Sequence, residues 1–273
     1  MQHENISFRR AVDLLLVQHP EANTSGRSAE LNLKADGRKL LRDVVNYYHE
    51  TLKETPEALQ YLVKRGLQHP QLVKHFRLGF ADRTLAYRLP SNQTKAGKEA
   101  REKLQTLGIL RESGHEHLTG SLVVPVLDKD RQIGEVYGRK ITSGLRKGTP
   151  LHMYLPGPHR GVFNLDSLKD EVVLCESIID ALTFWCADFT SVTSSFGPGG
   201  FTEEMRDAFS ERGVKKVFIA YDRDDAGDKG ASEVAKILHD DGIACFRVLF
   251  PQGKDANSYA NSSSIPADEL LKI

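Results

Sequence analysis

The sequence predicts an α/β protein in which an α+β N-terminal subdomain precedes an open parallel sheet. Three observations carry that expectation. Residues 170–250 alternate short apolar runs with helical patterns, the rhythm of βαβ units. Residues 40–75 repeat apolar positions at helical spacing, and residues 119–140 switch to the period of two strands joined by a tight turn. With 273 residues, 40% hydrophobic and 27% charged, the chain has the composition of a globular protein with a sizeable core, not of a collagen, coiled coil or disordered tail. No apolar run approaches the roughly 20 residues of a membrane helix, and MQHENISFRR lacks the apolar core of a signal peptide, so a soluble cytoplasmic protein with no membrane partner is expected.

Four segments follow in order. Residues 1–39 hold a short amphipathic helix, Phe8 to Val17, and a polar linker rich in Pro, Gly, Ser and Asn. Residues 40–168 form the first subdomain. Leu40, Val44, Tyr48 and Leu52, flanked by Leu41 and Val45, make one helical stripe. Thr55-Pro56-Glu57 opens a second helix as N-cap, first-turn proline and early acid, Gly66 stops it after Arg65, and a short helix at 70–75 follows. SLVVPVLD and QIGEVYGRK are the hairpin strands, turning at Asp128-Lys129-Asp130-Arg131; TSGLRKGTPLHMYLPGPHRG reads as a loop. Residues 169–260 hold strands at Val172–Cys175, Ser191–Thr193, Val217–Tyr221 and Cys245–Phe250, with helices at 177–186, 202–212 and 228–240 and helix stops at Gly213 and Gly242. Residues 261–273 are a tail.

The formal charge of zero conceals a division: residues 1–165 hold 26 Lys+Arg against 17 Asp+Glu, a balance of +9, and the rest hold 11 against 20, a balance of −9. Such asymmetry fits a basic surface for a phosphate backbone beside an acidic one for cations. Cys175, Cys186 and Cys245 are far apart in apolar stretches, which suits free thiols, and no C-x-x-C pair is present to build a zinc ribbon.

Ligands of open parallel sheets bind beyond the carboxyl ends of the strands. Here the first strand of the sheet ends at Glu176, with Asp180 one helical turn on; the third ends at Asp222-Arg223-Asp224-Asp225-Ala226-Gly227; the fourth is followed by Asp255-Ala256-Asn257. The second runs into Ser194-Ser195-Phe196-Gly197-Pro198-Gly199-Gly200, a loop whose backbone can approach a phosphate. A lone D-x-D is normally a solvated turn, and a lone glutamate at a strand end is normally a neighbour of a helix N-cap. Their joint placement on one sheet edge argues instead for a hard divalent cation, which takes one or two carboxylates and leaves its other positions for water and substrate phosphate.

These residues carry a resemblance. Glu176-x-x-x-Asp180, Asp222-x-Asp224 with Ala226-Gly227, and Gly253-Lys254-Asp255-Ala256-Asn257 resemble a Toprim domain, a Rossmann-like metal-binding sheet. TPEALQYLVKRGLQHPQLVKHFRLGFA and GSLVVPVLDKDRQIGEVYGRK are similar to the helical start and the basic hairpin of the DnaG-type primase catalytic core. The resemblance spans roughly Leu40 to Ala260, and the order of its motifs is more specific than any one of them. It implies a catalytic role for Glu176 and metal binding by Asp222 and Asp224 with Asp180 and Asp255 in support, the metals being two Mg²⁺ or Mn²⁺ and no zinc. It implies nucleotide or nucleic-acid contacts by Arg65, Arg139, Lys140 and Arg160, for which a helix-end cation at Arg65 and a solvated hairpin residue at Arg139 are the plain alternatives.

The implied activity is template-directed nucleotidyl transfer making primers on single-stranded DNA, with nucleoside triphosphates as substrates and a replicative helicase or a zinc-binding protein as further partner. The short architecture points to a plasmid or mobile element. The rival readings are a Toprim metal-dependent nuclease and a non-catalytic nucleic-acid-binding Toprim protein. The chain departs from the family pattern at Ser177, where glycine is usual; at Asn257, where a second aspartate is usual and the amide would keep an oxygen ligand without the charge; and at Met153-Tyr154-Leu155-Pro156, where a lysine and an asparagine are usual. The family's N-terminal zinc module is not found, although SFRRAVDLLL resembles its last helix.

Overall fold

The computed structural model describes Leu31 and residues 36–262. The expected helix at Phe8 to Val17, most of the linker and most of the C-terminal tail lie outside the described residues. Helix α1 (Gly37–Lys53) starts three residues before the apolar stripe, because the Asp36 carboxylate accepts from the Lys39 N–H and caps it. Helix α2 (Pro56–Lys64) begins at its proline as expected, but Thr55 does not cap it; its hydroxyl donates to the Thr51 carbonyl of α1. A one-turn helix, α3 (Leu72–His75), leads into strand β1 (Gly79–Phe80).

Helix α4 (Lys95–Thr106), capped by Thr94, precedes the hairpin of β2 (Ser121–Leu127) and β3 (Ile133–Lys140). The hairpin turn is held by the Asp128 carboxylate, which accepts from the Asp130 and Gln132 N–H groups. Two strands escape the sequence pattern. β1 is only two residues long, and β4 (His152–Tyr154) lies inside the Gly/Pro-rich stretch expected to be a loop; together they complete an antiparallel sheet of order β1-β2-β3-β4. β2 is buried on both faces, which explains its continuous apolar run. Val123 packs toward α1 with Leu40, Val44 and Tyr48, while Leu122, Val124 and Val126 face the second half of the chain.

The second half is a parallel sheet of order β6-β5-β7-β8, from β5 (Glu171–Cys175), β6 (Val192–Ser194), β7 (Lys216–Ala220) and β8 (Ala244–Arg247). Helices α5 (Ile178–Cys186), α6 (Glu203–Glu211) and α7 (Asp225–Asp240) connect them, and α8 (Ala256–Ser262) follows β8. Val172 and Leu174 face α6 and α7; Val173 and Cys175 face α5. That α5 layer shares one core with the first subdomain, where Trp185 meets His69, His75 and Phe76 and the ring of Phe76 stacks on Phe163. Burying such aromatic groups contributes on the order of 2 kcal/mol each, so the two sheets are fixed against each other. Cys175, Cys186 and Cys245 are free thiols, Cys175 fully buried, and among the described residues no helix is long and apolar enough to cross a membrane.

Candidate active site

A cleft of about 300 Å³ opens at the carboxyl ends of β5 and β7, lined by His152, Tyr154, Glu176, Asp180, Asp222 and Asp255 among others. Each acid arrives by local necessity. Ser177, with an extended backbone (φ −124°), caps α5: its Oγ accepts from the Asp180 N–H and donates to Asp180 Oδ2 at 2.6 Å. The glycine usual at that position is therefore not required here. Asp180 is buried, and its Oδ1 accepts the Asn257 N–H at 2.9 Å. Asp255 caps α8, with Oδ1 accepting from the Ser258 N–H while the Asp255 N–H donates to Ser258 Oγ.

Helix α7 starts at Asp225, three residues earlier than the periodicity predicts, because Asp224 caps it by accepting the Gly227 N–H at 2.8 Å. Asp224 is exposed and lies outside the cleft lining, and the cap engages one of its two oxygens. Gly227 has a steric reason: a Cβ there would stand 2.3 Å from the Asp222 carbonyl oxygen and 3.0 Å from Glu176 Oε2. Gly230 has another, its Cβ position lying 2.3 Å from the Pro198 carbonyl of the glycine-rich loop. These two glycines let α7 close onto the cleft.

The acids crowd one another. Burial raises the Glu176 pKa to about 7, aided by Asp224 and Asp180 and opposed by the Asp222 N–H. Burial also raises Asp222 to about 7, aided by Glu176, Asp255 and Asp224 and opposed by the Arg247 charge. Asp180 moves the same way, through burial and then Asp255 and Asp222. Oxygen donors that are half-buried, mutually repelling and short of cations are the donor set that Mg²⁺ or Mn²⁺ favours, so the residues fit the divalent ions expected from the sequence. Among the described residues no three His, Cys, Asp or Glu side chains form a ready cage. Glu176 spends Oε2 on the Asp222 N–H and Asp255 one oxygen on the Ser258 N–H, whereas Asp180 spends both on protein groups; among the described residues the Asp222 carboxylate meets no protein donor.

Asn257 is buried and is not the oxygen ligand its position suggests. Its Oδ1 accepts from Arg65 Nη1 at 2.9 Å, and its Nδ2 donates to the Arg65 carbonyl and to Thr183 Oγ1, both at 2.8 Å. An aspartate would meet two acceptors there, so the amide is the better fit in this chain. Arg65, at the end of α2, thereby joins the two subdomains and lies outside the cleft lining.

The expected phosphate contacts divide. Arg139 Nη1 donates to His152 Nε2, while its buried Nε has no partner among the described residues. Arginine cannot accept, so His152 Nε2 is unprotonated and Nδ1–H donates to the Tyr137 hydroxyl at 2.8 Å. Partial withdrawal from water, then the Arg139 and Arg65 charges, lower the His152 pKa to about 4 and keep it neutral. Lys140 lines an adjoining cavity of about 880 Å³ with Arg83, Arg111, His115 and His117, and its pKa is lowered by burial and then by Arg111 and Arg83. Arg160 is exposed beside Gly134, outside the lining of both cavities.

Tyr154, in the stretch where the family usually has a lysine and an asparagine, walls the cleft edge-on to Phe196 and His159, and His159 stacks on Phe196 at 4.4 Å. The sequence carries no signal for His152 or Phe196 at the site, because β4 has no period-2 pattern and Phe196 sits in a glycine run; Tyr154 stands out only within a departure from the family pattern.

Residues 47–166 match the family described as DNA primase catalytic core, N-terminal domain, and residues 173–260 match the Toprim-like family, in that order. This chain belongs to the DnaG-type primase catalytic core family. A DNA primase of Chlamydia pneumoniae is 26% identical over 95% of this chain and 46% of its own length. That of Aquifex aeolicus is 25% identical over 94% of this chain and 52% of its own. The chain spans about half the length of the curated relatives it matches. A DnaG catalytic core structure covers 86% of this chain and 79% of its own, with a TM-score of 0.70 and 20% identity. A DnaG primase catalytic domain bound to single-stranded DNA covers 88% and 82%, with a TM-score of 0.69 and 19% identity. The mixed α/β fold is that of the DnaG core.

Proposed function

We propose that this chain joins nucleotides on a single-stranded DNA template as a primase, with the Glu176–Asp222 cleft as its chemical centre. The observation that carries this reading is the continuity of the cleft with a basic surface. His152 and Tyr154 line both the carboxylate cleft and the 880 Å³ cavity of Arg83, Arg111 and Lys140, so β4 separates a cation-lined wall from an anion-lined one. A template backbone on the basic side passes the acids as it crosses β4. Bound Mg²⁺ or Mn²⁺ would neutralise the charge that develops on phosphate and supply the Lewis acidity the side chains lack.

The chain's own residues bind and orient. Asp222, with the exposed Asp224 beside it and Asp180 and Asp255 behind, would form the divalent-ion seat; Glu176, in the same cleft, would take the proton of the attacking hydroxyl or share the ion. Arg139, held by neutral His152, and Arg65 supply positive charge toward nucleotide phosphates from the first subdomain. Arg160, exposed on the same subdomain, extends the track for the template. Nucleoside triphosphates are the substrates, and a replicative helicase or zinc-binding protein is the partner that this reading expects in the cytoplasm.

The test is incubation of single-stranded template with labelled nucleotides and Mn²⁺. New oligonucleotides complementary to the template support the reading. Shortened template indicates a nuclease, and binding without either product indicates a non-catalytic module; both outcomes contradict it.

A further inference from the structure

We infer that Arg247, on the edge strand of the parallel sheet, is a positioning residue that holds the Asp222 loop in the shape that receives the divalent ion. This rests on the metal reading of the cleft. β7 ends its ladder with β8 at the pairing of Ile219 with Arg247, and beyond it the chain diverges toward Pro251. The carbonyls of Tyr221 and Asp222 therefore lie past the last rung, with no strand to donate to them.

The Arg247 side chain takes the place of that missing strand. Its Nη1 donates to the Ile219 carbonyl at 3.1 Å and the Tyr221 carbonyl at 2.8 Å; its Nη2 donates to the Asp222 carbonyl at 2.9 Å and to Asp228 Oδ1 at 3.0 Å. One planar group thus ties three carbonyls of the strand end, those of Ile219, Tyr221 and Asp222, to the first turn of α7. A guanidinium suits this because its donors are fixed in a fork, where an ammonium offers a single point.

The other side of the loop is pinned independently. The Arg223 N–H donates to the Lys254 carbonyl at 3.1 Å, and the Arg223 carbonyl accepts the Gly253 N–H at 2.8 Å. With both sides fixed, the Asp222 side chain has only its own rotamer left to choose. Groups that orient a metal ligand change affinity about 10- to 100-fold when removed. A charged residue within the apolar run Phe246-Arg247-Val248-Leu249-Phe250 is the sequence signal for this role.

The experiment uses the full 273-residue chain as wild type, Arg247→Met, Arg247→Lys and Asp222→Asn. Mn²⁺ affinity is measured by titration calorimetry, amide exchange at residues 221–224 without metal, and folding by thermal melting. Arg247→Met should weaken Mn²⁺ binding about tenfold or more and speed exchange of the Arg223 amide, and Arg247→Lys should recover only part of the loss. Raising Mn²⁺ should restore the activity plateau of Arg247→Met, which a collapsed fold would not allow. Wild-type Mn²⁺ affinity in a folded Arg247→Met overturns the proposal, and if that variant does not fold, wild-type affinity in Arg247→Lys does so. In either case, loss of binding in Asp222→Asn would show that the metal reading itself stands. Unchanged affinity in Asp222→Asn would remove the metal reading, and the role of Arg247 with it.

Discussion

Asn257→Ala tests how much one buried amide adds to the joint between the two halves of the chain. The substitution removes three hydrogen bonds: from Arg65 Nη1 at 2.9 Å, to Thr183 Oγ1 at 2.8 Å and to the Arg65 carbonyl at 2.8 Å. The Arg65 carbonyl keeps a partner in Asn261 Nδ2 at 3.0 Å, so its loss is nearly neutral. The bond from the guanidinium contributes about 2 kcal/mol and the bond to Thr183 about 1 kcal/mol, for a cost of about 3 kcal/mol. For a chain of this size that corresponds to a fall in Tm of about 6 to 12 °C. Urea unfolding followed by circular dichroism, with an unchanged slope, measures it directly. A loss below about 0.5 kcal/mol would show that water replaces the hub and would refute the reasoning.

Two further outcomes are expected. Glu116 is buried, accepts from the Tyr48 hydroxyl and the Leu85 N–H, and has its pKa raised to about 7, chiefly by burial. Because its folded pKa lies above its unfolded value of 4.5, its contribution is full below about pH 4.5 and is lost as pH rises through about 7, for a span of about 3 kcal/mol. Glu116→Gln, which can donate to the Tyr48 hydroxyl, should therefore flatten the pH dependence of stability and exceed wild type at pH 8; a steeper dependence would contradict this. Single-stranded DNA should bind with affinity falling steeply as salt rises, and Arg139→Ala should weaken it more than Lys53→Ala, since Lys53 lies on α1 outside the basic hairpin and pairs with Glu50. Equal effects of the two substitutions in a filter-binding titration would count against the basic hairpin as the DNA surface.

Much of the fold was legible because its elements bury one or two regular faces. The stripe Leu40-Val44-Tyr48-Leu52 is the buried face of α1, and the run of β2 is apolar throughout because it is covered on both sides. β1 and β4 were not legible, since strands of two and three residues hold their conformation through neighbours rather than through their own pattern. The acids were found because strand-end position is a topological signal. Their separate duties are not, because whether an aspartate caps a helix or faces a cleft depends on distances of a few ångströms: Asp224 caps α7, Asp180 is locked by Ser177 and Asn257, Glu176 takes the Asp222 N–H on one oxygen, and the Asp222 carboxylate meets no donor among the described residues. Arg65 was read as a phosphate contact or a helix-end cation, and its bond to Asn257, 192 positions away, had no local signature.

Template-directed incorporation of a labelled nucleotide onto an annealed primer, compared between wild type and Asp222→Asn at saturating Mn²⁺, addresses the carboxylate cleft itself. Wild type should add the nucleotide complementary to the template, and the variant, with its melting curve intact, should be slower by about a thousandfold, the several kcal/mol that a seated divalent ion supplies. Incorporation at the wild-type rate by the folded variant would contradict the placement of the chemistry at this cleft.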